Sequence, residues 1–166
     1  MELDSLYQPH HWHLEKNVVH LNHGSFGACP IRILEEQHEL RQKMESNTLR
    51  FFEEDLPELL ERSREVLGRF LGVPASGLVF VDNATTGVST VLSNIDLVEG
   101  DRILVTDHGY NACTNAARYF AGRVGADIDL VNLPFPNSDS NEFVARILEA
   151  CTARTRIFLV DHVTSA

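Results

Sequence analysis

The sequence predicts an α/β fold, a three-layer sandwich in which a mostly parallel sheet lies between layers of helices. Short, unbroken apolar runs alternate with helical patterns through residues 78–166, and an unbroken run is typical of a strand buried on both faces. Polar segments follow these runs, and folds of this kind bind ligands at the carboxyl ends of their strands. The 166 residues, 43% hydrophobic and 23% charged, suit one soluble globular domain.

Two helices are expected before the sheet. The first begins at Pro30, because proline suits a first helical turn, and carries apolar residues at helical spacing. The second follows Pro57 and ends at Gly72 and Pro74. The apolar residues of the first are Ile33, Leu40 and Met44; those of the second are Leu56, Leu59, Leu60, Val66, Leu67, Phe70 and Leu71.

Four strands and three helices are expected to alternate in the rest of the chain. The strands are 78–81, 103–105, 128–131 and 157–160, and the helices are 85–95, 111–120 and 142–151, with a loop at 134–138. The side chains expected to face the core are Val88, Val91, Leu92 and Ile95 on the first helix, and Phe143, Ile147 and Leu148 on the last.

The charge balance excludes several classes of partner. There are 14 Lys and Arg against 24 Asp and Glu, a net charge of −10, which repels nucleic acid and anionic lipid. The sequence has no run of about 20 apolar residues that could cross a bilayer, and its acidic start does not resemble a signal peptide. The widely spaced Cys29, Cys113 and Cys151 favour buried thiols in a reducing cytoplasm.

The chain stops about one turn after the last expected strand, without a helix to cover it. We therefore expect a piece of a longer protein, with residues 1–29 as an irregular arm and residues 30–166 as the main part. The alternative is a complete four-stranded domain with a short tail.

The segment Asn83-Ala84-Thr85-Thr86-Gly87 directly follows the first expected strand. At the start of a helix it would present free backbone N–H groups, two hydroxyls and the positive end of the helix dipole, and so form a phosphate cup. Gly87 would let an anion approach the backbone. The alternative is that Thr85 is only a helix N-cap. The segment is neither a Walker P-loop nor GxGxxG.

Three further polar segments are candidates for a site. Residues 106–111 bring a His and a Tyr to the end of a strand, where they can stack on a flat ligand or transfer protons. The alternative is a solvated loop in which Asp107 caps the next helix. Residues 161–165 offer hydroxyls, or form an ordinary strand-end turn. Residues 21–27, with two glycines, form a tight loop near a ligand or a plain turn.

Two other chemistries receive little support. The histidines at positions 10, 11, 13, 20 and 23 lack the fixed scaffold that zinc ligation needs, so no metal is expected. The pairs Asp107-His108 and Asp161-His162 suggest a hydrolase triad, but no GxSxG elbow supplies a nucleophile.

Four segments in order, LNHGSFGACP (21–30), NATTG (83–87), DHGYNA (107–112) and LVDHVTSA (159–166), resemble the N-terminal half of the class V aminotransferases. These are pyridoxal-phosphate (PLP) enzymes of fold type I, and the resemblance is to the isopenicillin-N-epimerase-like branch, whose relatives include cysteine desulfurases and C–S lyases. The resemblance implies the N-terminal part of a PLP-binding large domain, a homodimer, and an amino-acid substrate.

The resemblance also implies roles for individual residues. Ala84, Thr85 and Thr86 would bind the cofactor phosphate through N–H and hydroxyl groups. His108 would stack on the pyridine ring, with Tyr110 as its substitute if the register is shifted.

Ser165, or Thr164, would hydrogen-bond the phenolic oxygen of the ring, and Asn22 and Gly24 would lie at the substrate mouth. The Schiff-base lysine and the Asp that pairs with the pyridine nitrogen would follow Ala166. Neither of the two lysines present, Lys16 and Lys43, follows an expected strand.

The resemblance therefore implies a PLP enzyme that acts on an amino-acid substrate, with racemisation or epimerisation as the first reaction, C–S cleavage as the second and transamination as the third. The chain alone would supply the phosphate cup and the ring shelf, that is, the side chain that stacks on the pyridine ring. It would be inactive. The alternative is a non-catalytic binding or interaction domain that keeps the cup.

Overall fold

The computed structural model describes residues 9–136 and 139–164. The chain divides into two compact units, Met1–Val79 and Phe80–Ala166. The described part of the first unit is helical, and the sheet lies in the second. Within the described residues, no helix combines the length and the apolar character needed to span a membrane.

Four α-helices form the first unit. They are α1 (His23–Phe26), α2 (Ile31–Ser46), α3 (Thr48–Arg50) and α4 (Leu56–Leu71), with 3₁₀ turns at Pro9–His11 and Ala75–Gly77 and a π-helical turn at Phe51–Asp55. The helix expected from Pro30 is confirmed as α2, for which Pro30 is the residue before the first turn. Its apolar residues are largely exposed, as are Leu60, Val66, Phe70 and Leu71 of α4.

The helix expected after Pro57 begins earlier than predicted. The π turn joins α3 to α4 with helical dihedral angles at both junctions, so helical backbone runs from Thr48 to Leu71. A proline ring crowds the carbonyl four residues before it in a regular α-helix, and the π turn lies where Pro57 would cause that clash. Helix α4 ends where expected: Gly72 has φ 71° and its N–H donates to the carbonyl of Gly68.

The described residues of the second unit form three helices and three strands. They are α5 (Ala84–Ser93), β1 (Arg102–Thr106), α6 (Asn111–Val124), β2 (Asp127–Val131), α7 (Ser140–Ala150) and β3 (Thr155–Leu159). The sheet has the order β2-β1-β3 and both pairings are parallel. Of the loop expected at 134–138, Asn137 and Ser138 lie outside the described residues.

The core forms on both faces of β1. Ile103 and Val105 pack with Leu92 of α5 and with the alanines of α6, whereas Leu104 points to the other face and packs with Phe143 of α7 and its neighbours. The side chains of Ile103 and Leu104 are 0% exposed, and burying each stabilises the fold by about 1.5–3 kcal/mol. The expected three-layer α/β arrangement is confirmed in this unit.

One of the four expected strands is wrong. Residues 78–81 form no strand: Val79 is 82% exposed, and the N–H of Leu78 closes a 3₁₀ turn onto the carbonyl of Ala75. A strand needs a neighbouring strand to complete its backbone hydrogen bonds. In the described sheet β1 is paired on both sides, and the outer edges of β2 and β3 do not pair with these residues.

Some residues expected in the core are exposed. The spacing that predicts a helix marks a wider face than the one that packs against the sheet. Val91 on α5 and Leu148 on α7 are exposed, and so is Ile95, which lies after the end of α5. The cysteine prediction holds only for Cys113, which lies on the buried face of α6; Cys29 and Cys151 are exposed.

A charged cluster joins β1 to β2 at the amino edge of the sheet. The Arg102 guanidinium donates to both carboxylate oxygens of Asp129, and its Nη1 lies 3.4 Å from Oδ2 of Asp127. The hydrogen bonds from Arg102, aided by its positive charge, lower the pKa of the Asp129 carboxyl.

We expect this pair to add an acid-sensitive contribution to stability. The Asp129 pKa is lower in the folded state, so its contribution is full above the unfolded value of about 3.9 and is lost as pH falls through the folded value. Asp129→Asn should therefore make the free energy of unfolding fall less steeply below about pH 4, as measured by urea unfolding at a series of pH values. Asp127→Asn, at a more exposed position, is the control and should change the slope less. If the free energy of unfolding of Asp129→Asn fell with pH as steeply as that of the unsubstituted protein, this expectation would be wrong.

Helix α5 begins with a side-chain cap. Asn83 has an extended backbone, and its Oδ1 accepts the N–H of Thr86 at 2.9 Å. The N–H of Gly87 donates to the carbonyl of Asn83 at 3.1 Å. Asn83, not Thr85, is therefore the N-cap, contrary to the simpler of the two interpretations of this segment.

Substitution of the cap tests this geometry. Asn83→Ala should destabilise α5 by about 1 kcal/mol, because the Thr86 N–H loses its acceptor. Native-state hydrogen exchange of the α5 amides would measure this loss. Asn83→Asp keeps an acceptor and should exchange at nearly the original rate. Equal exchange in the Ala and Asp variants would show that the cap contributes nothing.

Candidate functional site

The three strands end at one edge of the sheet, and polar side chains meet there around a cavity of about 480 Å³. The segment after β1 supplies His108, and the segment after β3 supplies Asp161, His162 and Thr164. Apolar side chains from the segment after β2 and from α7 complete the lining. A cavity with an apolar wall and a few convergent polar groups is typical of a small-molecule site.

His108 is held in this cavity by aromatic neighbours. Its side chain is 15% exposed, and its ring meets Phe135 and Phe143 edge-on, with centroids 5.9 and 6.3 Å apart. Tyr110, two residues later, is 50% exposed and is not part of the lining. The structure thus gives the two candidate ring-shelf residues different environments, and only His108 faces the cavity.

The loop that carries His108 is bonded to the segment after β2. The backbone N–H of Asp107 donates to the carbonyl of Val131 at 3.1 Å, and Asp107 Oδ1 accepts the N–H of Leu133 at 2.9 Å. The expectation that Asp107 caps the next helix is wrong, because the carboxylate is directed to a neighbouring strand segment. Tyr110 occupies the N-cap position of α6 and supplies no side-chain bond.

Asp161 bonds the same loop to the segment after β3. Its Oδ2 accepts the backbone N–H of Tyr110 at 2.8 Å, across 51 residues of sequence. Sequence reasoning missed this role and considered Asp161 only beside His162. The available signal was an acidic residue directly after two different strands, in 107–108 and 161–162.

These contacts argue against the hydrolase interpretation. The carboxylates of Asp107 and Asp161 accept backbone N–H groups, and Oδ1 of Asp107 lies 3.8 Å from Nε2 of His108, beyond hydrogen-bond distance. The described structure therefore contains no carboxylate–imidazole hydrogen bond at this edge.

The N-terminus of α5 keeps two donors available. The N–H groups of Ala84 and Thr85 occupy the first two helical positions, which have no intrahelical acceptor. The Thr86 N–H, by contrast, is bonded to Asn83. Thr85 is half-buried and Thr86 is exposed. A Cβ on Gly87 would meet Val81 at 3.5 Å, an ordinary contact, so packing alone does not require glycine there.

The remaining predicted residues fall in different places. Thr164 lines the cavity, and Ser165 lies outside the described residues. Asn22 and Gly24 are exposed residues of the first unit, beside and within α1. In that segment Gly27 is sterically required, since a Cβ there would come within 2.5 Å of the His23 carbonyl.

No cluster of three or more His, Cys, Asp or Glu suited to a metal ion occurs among residues 9–136 and 139–164. The histidines of the N-terminal segment instead contact each other as rings, as His20 and His23 do at 4.4 Å between centroids.

Comparison with known proteins agrees with this architecture. A solved structure of a C-DES mutant, with glycine covalently linked to its PLP cofactor, matches 96% of this chain and 42% of that chain with a TM-score of 0.82 at 21% identity. The complex of the cystine C–S lyase C-DES with cysteine persulfide matches 84% of this chain and 37% of that one, with a TM-score of 0.73 at 22% identity. These likenesses show the same fold.

Sequence relatives include a probable chloroplastic L-cysteine desulfhydrase of Arabidopsis thaliana, 30% identical over 167 residues. An isopenicillin N epimerase of Streptomyces clavuligerus is 32% identical over 152 residues. Each match takes in 92% of this chain, which spans 35% and 38% of the length of these two relatives. The family model of class-V aminotransferases matches residues 28–166. Because that match covers most of the chain, the protein belongs to the class-V aminotransferase family.

Proposed function

We propose that this chain provides the phosphate and ring contacts of a PLP-dependent enzyme that acts on an amino acid. The observation that carries the proposal is the N-terminus of α5, with two backbone donors that have no helical acceptor. The proposal is supported by the family membership and by His108, which lies half-buried at the carboxyl ends of the strands in the same unit.

The residues at this helix fit a phosphate dianion. The N–H groups of Ala84 and Thr85 and the hydroxyls of Thr85 and Thr86 would donate to its oxygens, in the positive field of the helix. Gly87, which has no side chain, would let a phosphate oxygen approach the backbone. Since the Thr86 N–H is bonded to Asn83, Thr86 would act through its hydroxyl.

The ring of the cofactor would lie against His108, with Thr164 or Ser165 donating to its phenolic oxygen. The contacts of His108 with Phe135 and Phe143 limit its rotation and support a fixed shelf. When bound, PLP supplies an electron sink for charge that develops at the substrate α-carbon. Asn22 and Gly24 would contact the substrate.

The relatives support two reaction types on this common chemistry. Their names include cysteine desulfhydrases, which cleave a C–S bond, and isopenicillin N epimerases, which invert a carbon centre. Removal of the substrate α-proton would serve both reactions, so we propose that step, with the proton passing to a base of the whole protein, as the shared activity, in a homodimer. A protein that binds PLP and turns over no amino acid would instead be a non-catalytic binding domain.

The phosphate cup is tested by introducing a fixed negative charge. Thr85→Asp should weaken PLP binding to the whole protein by about tenfold or more, equivalent to about 1.4 kcal/mol, because a carboxylate would face the phosphate. An Asp in the first helical turn favours the helix, so unfolding would not explain the loss. Thr90→Asp, five residues further along α5, is the matched control. Unchanged affinity in a folded Thr85→Asp variant, measured by absorbance titration, would refute the cup.

The ring shelf is tested by comparing two truncations. His108→Ala should shift the absorbance of the bound cofactor and reduce amino-acid turnover more than Tyr110→Ala does, because only His108 faces the cavity. Loss of the shelf should weaken PLP binding by about fivefold, the size of an aromatic contact. A larger effect of Tyr110→Ala would mean that Tyr110 is the shelf.

A further inference from the structure

The loop Asp107-His108-Gly109-Tyr110 is attached to both strand segments that flank β1. Asp107 bonds the segment after β2 through the Leu133 N–H, and Asp161 bonds the other end of the loop through the Tyr110 N–H. His108 lies between these two attachments, and its imidazole and the Asp161 side chain both line the cavity. Neither carboxylate was assigned a role by the family resemblance.

We infer that Asp161 is a positioning residue that sets the orientation of the His108 ring. Its importance for cofactor binding rests on the proposed function, whereas its effect on the ring is a property of the chain alone. Asp161 acts through the backbone of Tyr110, not by touching the reacting atoms.

The short connection between Tyr110 and His108 has little freedom to absorb a displacement. Gly109 lies between them, and its N–H is bonded to the Thr106 carbonyl at 3.1 Å. A Cβ on Gly109 would meet that carbonyl oxygen at 3.1 Å and Thr114 Oγ1 at 3.2 Å, so the backbone here is tightly packed. Because Gly109 has little room to absorb it, we expect a displacement of Tyr110 to reach His108.

The bond from Asp161 gives the N–H of Tyr110, the N-cap residue of α6, an acceptor from outside the helix. Tyr110 has no side-chain oxygen directed to the first turn of α6. The Asp161 carboxylate is partly buried and accepts at 2.8 Å, the length of a charge-assisted hydrogen bond. Without it, the Tyr110 N–H loses its acceptor and the end of the loop loses its attachment to β3.

The test compares four variants of the whole protein by NMR of ¹³C-labelled histidine, with and without PLP. The His108 signal is assigned by its loss in His108→Ala. In Asp161→Ala this signal should move toward the position of a solvent-exposed histidine, as the ring leaves Phe135 and Phe143. Asp161→Asn keeps an acceptor oxygen and should restore the original signal. Asp101→Ala is the matched control, because it removes a carboxylate that accepts the Val98 N–H at 3.0 Å at the opposite edge of the sheet.

PLP titration supplies the second measurement. Asp161→Ala should weaken binding by about fivefold, the size of an aromatic contact, and should add no further loss in a His108→Ala background. If Asp161→Ala does not fold, Asp161→Glu, which moves the acceptor by one methylene, is used for the same comparisons. An unmoved His108 signal in a folded variant, or losses that add to those of His108→Ala, would overturn the inference. Failure of the unsubstituted protein to bind PLP would instead overturn the proposed function, and the shift of the His108 signal would still decide the role of Asp161.

Discussion

The burial of residues 103–106 of β1 is the constraint on which the second unit depends. Its backbone is paired on both sides, and its side chains alternate between two apolar layers. Ile103 and Val105 require a cover that α5 and α6 provide, and Leu104 requires the cover of α7. Because both neighbours are parallel to β1, each connection must cross back over a face of the sheet. The helical layers and the common edge at which all three strands end follow from this one arrangement.

At that edge, the backbone N–H groups beyond the strand ends need hydrogen-bond acceptors. Asp107 and Asp161 meet this need by accepting N–H groups from outside their own segments. Unpaired backbone donors near an apolar cavity are costly, so these bonds stabilise the fold. They also restrain the loop that carries His108. The same bonds that stabilise the loop therefore also keep the His108 ring facing the cavity.

The sequence predicted the parts of this arrangement that depend on local pattern. The apolar runs at 103–105, 128–131 and 157–160 marked the three strands, and the polar segments after them marked the edge. The run at 78–81 has the same composition but no partner strand, and composition cannot supply one. Helical spacing likewise could not separate Leu92, which packs, from Val91, which does not. The bond from Asp161 to Tyr110 joins residues 51 positions apart, so only the assembled sheet reveals it.

The three described helices of the second unit differ in which group accepts a backbone N–H at the start of the helix. This difference bears on the proposed function. The Asn141 N–H of α7 donates to Asp139, and the N–H of the N-cap residue of α6 donates to Asp161, so a carboxylate is bonded at both of these helix ends. The cap of α5 is the neutral amide of Asn83. The nearby Asp82 is exposed, where water and salt screen its charge. A carboxylate cap on α5 would compete with a bound anion for the donors and for the field of the helix. In the proposed site, a neutral cap would leave both to the phosphate while still fixing the first turn.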